Sequence, residues 1–168
     1  MPIIELATHI NAPIAKCFDL ARSIDMHVNS MQQSGETAVG GRVSGLIELG
    51  EIVTWRAKHF GVWQTLTSKV TEMKYPNYFT DEMVKGAFKA FRHEHYFYAI
   101  GNQTLMKDIF MFDAPLGFLG IIANFLFLKS YMRKLLEQRN EVIKQAAEAP
   151  QPPEGEIGKT YVSLKKSY

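Results

Sequence analysis

The stretch "FRHEHYFYAIGNQTLMKDIF", residues 91–110, reads as a β-hairpin whose two arms alternate around Gly101 and Asn102. A two-residue turn at that dipeptide places Tyr98 opposite Leu105, Phe97 opposite Met106 and His95 opposite Asp108. Side chains alternate along a strand, so His93 and His95 share one face with Phe91, Phe97, Met106 and Phe110. The hydrocarbon makes that face a core face, yet it carries two histidines and a carboxylate. A metal site, an acid–base pair and the polar spots of an otherwise apolar cavity compete to explain them.

The same alternation extends upstream. In "EIVTWRAKHF" the set Val53, Trp55, Ala57 opposes Thr54, Arg56, Lys58. After Gly61 the set Val62, Leu66, Val70 opposes Thr65, Thr67, Lys69, Thr71. A turn at Phe60 and Gly61 puts Trp55 opposite Leu66 and Val53 opposite Ser68, keeping the dry faces in register. "KYPN" (74–77) and "GAFK" (86–89) punctuate the next hairpins. From about 36 to 113 the pattern predicts six strands in an antiparallel meander.

Helices flank the meander. Residues 3–10 alternate as a first strand and end at "NAP", where Asn11 is a candidate cap and Pro13 suits a first turn, predicting a helix over about 13–22 with Ile14, Cys17, Phe18 and Ala21 as its buried stripe. Ser23 or Asp25 starts a shorter second helix. Pro115 opens a long one running to about Ala149. Its first half is apolar on nearly every side, and its second half narrows to Met132, Leu135, Leu136, Val142 and Ile143. The predicted class is therefore α+β, with one domain over residues 1–149. "APQPPEGEIGKTYVSLKKSY" is rich in Pro, Gly and charge, so 150–168 is expected to be an extended tail.

Composition narrows the function classes. A chain of 168 residues, 46% hydrophobic and 21% charged, can bury one ordinary core. A net charge of +2, from 19 basic and 17 acidic groups spread along the chain, gives no basic stripe, so nucleic acid is not expected as a partner. The lone Cys17 forms no disulfide framework, and the N-terminus lacks a basic and then apolar leader, so a cytoplasmic setting is expected. "LGFLGIIANFLFL" (116–128) falls short of the roughly 18 residues of a spanning helix. No transmembrane segment is expected.

The order strand, two helices, six strands, long helix resembles the helix-grip fold of the START-like, or SRPBCC, ligand-binding superfamily, which includes plant pollen allergens, lipid-transfer domains and bacterial polyketide cyclases. The runs "NAPIAKCFDLARSIDMHVNSM", "GLIELGEIVTWRAKHFGVWQTLTSKVTEM", "YFTDEMVKGAFKAFRHEHYF" and "TLMKDIFMFDAPLG" are similar to bacterial SRPBCC-type proteins described as ligand-binding or cell-division-inhibitor-like. The resemblance covers about residues 3–146. It implies a curved antiparallel sheet gripping the C-terminal helix around an apolar cavity. That agrees with one dry sheet face and one over-greasy helix. The walls would be Trp55, Leu66, Phe97, Met106, Phe110, Leu119, Ile122 and Leu126. The competing reading is that these side chains fill a solid core.

The polar residues divide the same way. His93, His95 and Asp108 could imitate a two-His, one-carboxylate metal triad, but no further His or Cys supports it, and neither metal nor cofactor is expected. As catalysts, His95, Asp108 and His93 would be the acid–base group of a cyclase or aromatase. As structure, a buried His and carboxylate satisfy one another. A four-residue loop after Lys85 puts Glu82 near His93; a one-residue slip puts Asp81 there. Cys17 reads as a small core residue. The glycines of "GETAVGGRVSG" miss the phosphate-loop spacing. The leading expectation is a carrier or sensor of a small hydrophobic molecule, lipid-, quinone- or polyketide-like, anchored by Glu82, His93, His95 and Asp108. A polyketide cyclase using the same cavity is the alternative. A third reading is an interaction protein docking a second copy, another protein or a membrane through Phe125 and Phe127.

Overall fold

The computed structural model describes residues 2–113 and 122–150, with side chains of the last helix described from Phe127 onward. The expected helix start at 115–121, the tail, and the wall candidates Leu119, Ile122 and Leu126 lie outside what is described.

Seven strands form one antiparallel sheet: β1 (Ile3–Ile10), β2 (Thr37–Gly41), β3 (Ile52–His59), β4 (Val62–Lys74), β5 (Tyr78–Lys85), β6 (Ala90–Ile100) and β7 (Gln103–Asp113). Their order is β1-β7-β6-β5-β4-β3-β2. The meander β2 to β7 is the six-stranded run expected, and β1 closes its far edge against β7. Between β1 and β2 lie α1 (Ile14–Ala21), α2 (Ile24–Ser30) and a turn of 3₁₀ helix at Gln32–Ser34. The long α3 (Ile122–Glu148) lies across the sheet's inner face. This is the helix-grip arrangement.

The helices start for local reasons. Ser23 caps α2, its hydroxyl accepting from the Met26 amide at 3.2 Å. Asn11 does not cap α1: Pro13 occupies the cap position without a side-chain bond. The Asn11 amide instead donates to Glu148 Oε1 at 2.8 Å, tying the first loop to the end of α3.

The inner face carries three apolar clusters, bridged at their edges by Leu66 and Met73. Phe18, Cys17, Ile10, Phe79, Phe97, Met106 and Ile143 join α1, the sheet and the end of α3. Ile4, Phe91, Phe110, Phe112 and Leu136 form a second group. Ile24, Ile47, Val53, Trp55 and Val70 form a third under α2. The clusters surround a space instead of merging across it.

Two irregularities shape that space. A bulge after Val70 leaves Thr71 between the pairs Val70–Asp81 and Glu72–Thr80, so Met73 packs inward while Glu72 meets Arg92 outside. The β3–β4 turn holds Phe60 at φ 51° and Gly61 at φ 82°. Turns with both central residues left-handed favour Asn or Gly, so a phenylalanine at the first position is strained. Its ring rests on Tyr131 of α3, centroids 4.7 Å apart. Val62, just past this turn, is exposed, which corrects its expected place on the dry face.

Candidate functional site

The β6–β7 hairpin has the expected register: Phe97 pairs with Met106, His95 with Asp108 and His93 with Phe110. His95 Nδ1 lies 2.7 Å from Asp108 Oδ1, and its Nε2 lies 3.1 Å from Asp81 Oδ1. The His95 ring stacks on Phe79 at 4.1 Å, and the His93 ring lies 3.8 Å from that of His95. α3 completes the cluster. Asn140 Nδ2 donates to Asp108 Oδ2 at 2.6 Å, and Arg139 reaches Asp108 Oδ1 at 3.6 Å while donating to the Ala21 carbonyl at 2.9 Å. His93, His95, Asp108, Arg139 and Asn140 are all buried.

Asp81, not Glu82, is the residue beside His93. β5 pairs Asp81 with His93 and Glu82 with Arg92, one residue away from the four-residue-loop register. Pairing between β5 and β6 ends at Glu82, so the chain from Met83 to Lys89 acts as a longer connection. Glu82 therefore points to the outer face, where it binds Arg92 at 2.9 Å together with Glu72 and Glu94.

Burial opposes ionisation of Asp108, yet His93 and His95 beside it hold its carboxyl well below the usual carboxylate range. The same contest, won by the His95 bond and by the charges around it, lowers Asp81. Burial, with His95 adjacent, pushes His93 down to about 4 against the pull of Asp108. His93 Nε2 is buried and sits 3.2 Å from Asp108 Oδ1, an ion-pair contact without the geometry of a hydrogen bond. A neutral imidazole held among carboxylates can accept or donate one proton or one hydrogen bond. Among the described residues, Asp81, His93 and His95 are the group that could gather around an ion, with donor atoms within 4.8 Å of one another. Asp81 thus takes the place given to Asp108 in the expected triad.

This cluster forms one wall of a cavity of about 600 Å³. Trp55, Leu66, His93, His95 and Phe110 line it as expected. Phe97 and Met106 do not: they are packed solid beneath α1 with Phe18 and Cys17. Asp108 lies behind the two histidines instead of on the surface of the space. Burial raises the Cys17 thiol, in keeping with an inert core residue.

Several residues of the site escaped the sequence reading although their positions were informative. Arg139 and Asn140 fall between Leu136 and Ile143 on the buried side of α3, so two polar residues hold stripe positions. His59 continues the alternation Val53, Trp55, Ala57 by one step. His27 follows Ile24 by three, which puts both on one face of α2. Among the described residues, no helix is long and apolar enough to cross a membrane.

No family model and no curated protein matches the chain. Solved structures do. TTHA0849 from Thermus thermophilus shares 16% identity, covers 88% of this chain and 100% of its own, and superposes with a TM-score of 0.68. A START superfamily protein from Mycobacterium smegmatis gives 9% identity, 87% and 97% coverage and a TM-score of 0.66. A major latex-like protein from Panax ginseng gives 13%, 88% and 98%, and 0.61. At such identities the likeness is one of architecture: the chain shares the helix-grip fold of these structures.

Proposed function

We propose that this protein binds a small hydrophobic molecule between the sheet and α3 and serves as its carrier or sensor. The observation that carries the reading is the 600 Å³ space that three apolar clusters enclose but do not fill, with a buried polar cluster on its wall. A lipid, quinone or polyketide-like skeleton matches such a space, and Asp81 on its wall offers a carboxylate oxygen to one polar group. Mass spectrometry of an organic extract of the purified protein tests this. A stoichiometric hydrophobic compound is expected; an extract free of any, from protein that also takes up no hydrophobic dye, argues against a carrier.

The enzymatic reading has its own support. Asp108 bonds one nitrogen of His95, and His93, neutral at physiological pH, faces the cavity beside it. That pair could move a proton at an enolisable carbonyl. Turnover of a polyketide-like substrate, abolished in His93→Gln with binding retained, would decide for a cyclase.

A further inference from the structure

The cavity has a second polar pole, built from residues that the His93–His95–Asp108 cluster does not use. His27 of α2 bonds Glu36, ahead of β2, with Nε2 at 2.7 Å from Oε1, and its ring stacks on Trp55 at 4.1 Å. His59 of β3 and Tyr131 of α3 meet at 2.8 Å between Nδ1 and the phenol oxygen. All four line the cavity. Tyr131 and Arg139 mark the two poles on α3, and eight residues of helix separate them by roughly 12 Å.

The charges at these poles are unbalanced in one respect. Burial opposes ionisation of Glu36, but the His27 bond holds it below the usual range, so Glu36 and Asp81 both present carboxylates to the space. The two cationic side chains of the described lining are already committed. Arg22 is bonded to Asp19 and Glu48. Arg139 is held by the Ala21 carbonyl, Asn140 and Asp108. Residues 114–126 carry no ionisable side chain in the sequence. A ligand carboxylate or phosphate would therefore meet like charge with no free guanidinium or ammonium among the described lining residues to pair with, and burial makes that costly.

The remaining valences suit a hydroxyl. Burial lowers His59, so the ring is neutral and shares one proton with the Tyr131 oxygen through Nδ1, leaving its other nitrogen and that oxygen able to exchange hydrogen bonds with a hydroxyl in either sense. The second oxygen of Glu36 and the lone pairs of Tyr131 accept. At the other pole the Asp81 oxygen that is not bonded to His95 accepts.

Resting on the reading of the cavity as a ligand site, we infer that its ligand is an uncharged, elongated molecule with a hydroxyl group at each end, and that anionic lipids are rejected. Displacement of Nile red, itself uncharged, by matched ten-carbon probes at pH 7.5 tests this on the full chain. Decane-1,10-diol is expected to displace the dye at a concentration at least tenfold below decanedioate and several-fold below decan-1-ol. Glu36→Gln, its fold checked by circular dichroism, should narrow the gap between diol and diacid. Decanedioate displacing as well as the diol would overturn the inference and leave the carrier reading standing. Absence of saturable Nile red binding would defeat the carrier reading, and this inference with it.

Discussion

His95 and Asp108 face each other across the β6–β7 hairpin with Nδ1 and Oδ1 at 2.7 Å, and Asn140 closes on the other carboxylate oxygen at 2.6 Å. The carboxylate is thus shared between sheet and helix, so it locks α3 to the sheet and orients the histidines at once. Asp108→Ala should cost about 3 kcal/mol or more, because it takes a buried acceptor from Asn140 and His95 and the counter-charge from Arg139. Combined with His95→Leu, the loss should fall short of the sum by about 1–3 kcal/mol in a double-mutant cycle followed by urea unfolding.

Stability should fall steeply in mild acid. His93 titrates near 4 in the folded protein and near 6.5 in an unfolded chain, so between those values the unfolded state binds more protons. Acidification through that window therefore removes stability, on the order of 3 kcal/mol from His93 alone. Asp81 and Asp108, both lowered, contribute stability that is in place above about pH 4 and is lost as pH falls further. Unfolding free energies measured from pH 7 to 4 should show the slope, and His93→Gln should flatten it.

Two apolar positions should respond differently to truncation. Phe97→Ala empties a solid cluster and should cost about 3–5 kcal/mol. Leu66→Ala, at a wall with open space beside it, should cost about 1–2 kcal/mol and alter dye affinity instead. Denaturant midpoints and a Nile red titration of each variant check both halves.

The helix-grip architecture was legible because alternation and turn chemistry agreed. Gly101–Asn102 and Phe60–Gly61 each specify a two-residue turn, and the registers that follow from them are the observed ones. Register failed where the turn was not tight: past Glu82 the end of β5 pairs with β4 but not with β6, which lengthens the connection, so Glu82 and Asp81 exchanged places. The half of the site contributed by Arg139 and Asn140 was hidden for a different reason. Polar residues on a helix are ordinarily read as its wet face, and only the packing of α3 against Asp108 shows that these two point inward. The fullness of the interior was also illegible, because Phe97 and Phe110 occupy equivalent strand positions while one is packed solid and the other faces the space.

Phe60 is expected to serve the cavity rim at the expense of its turn. Phe60→Asn relieves a left-handed strain of about 1 kcal/mol but gives up ring contacts with Tyr131 and Phe127 worth a similar amount. Stability should stay within about 1 kcal/mol of the parent, while stopped-flow release of bound dye should accelerate.

The central claim is that a hydrophobic molecule occupies the space between sheet and α3. Equilibrium titration of Nile red into the parent and into Ala57→Phe, which puts a ring into that space from the buried wall of β3, tests it most directly. The account predicts saturable one-to-one binding with blue-shifted emission in the parent, and its loss in a variant that still shows the parent's circular dichroism. Undiminished binding in the filled variant would contradict it.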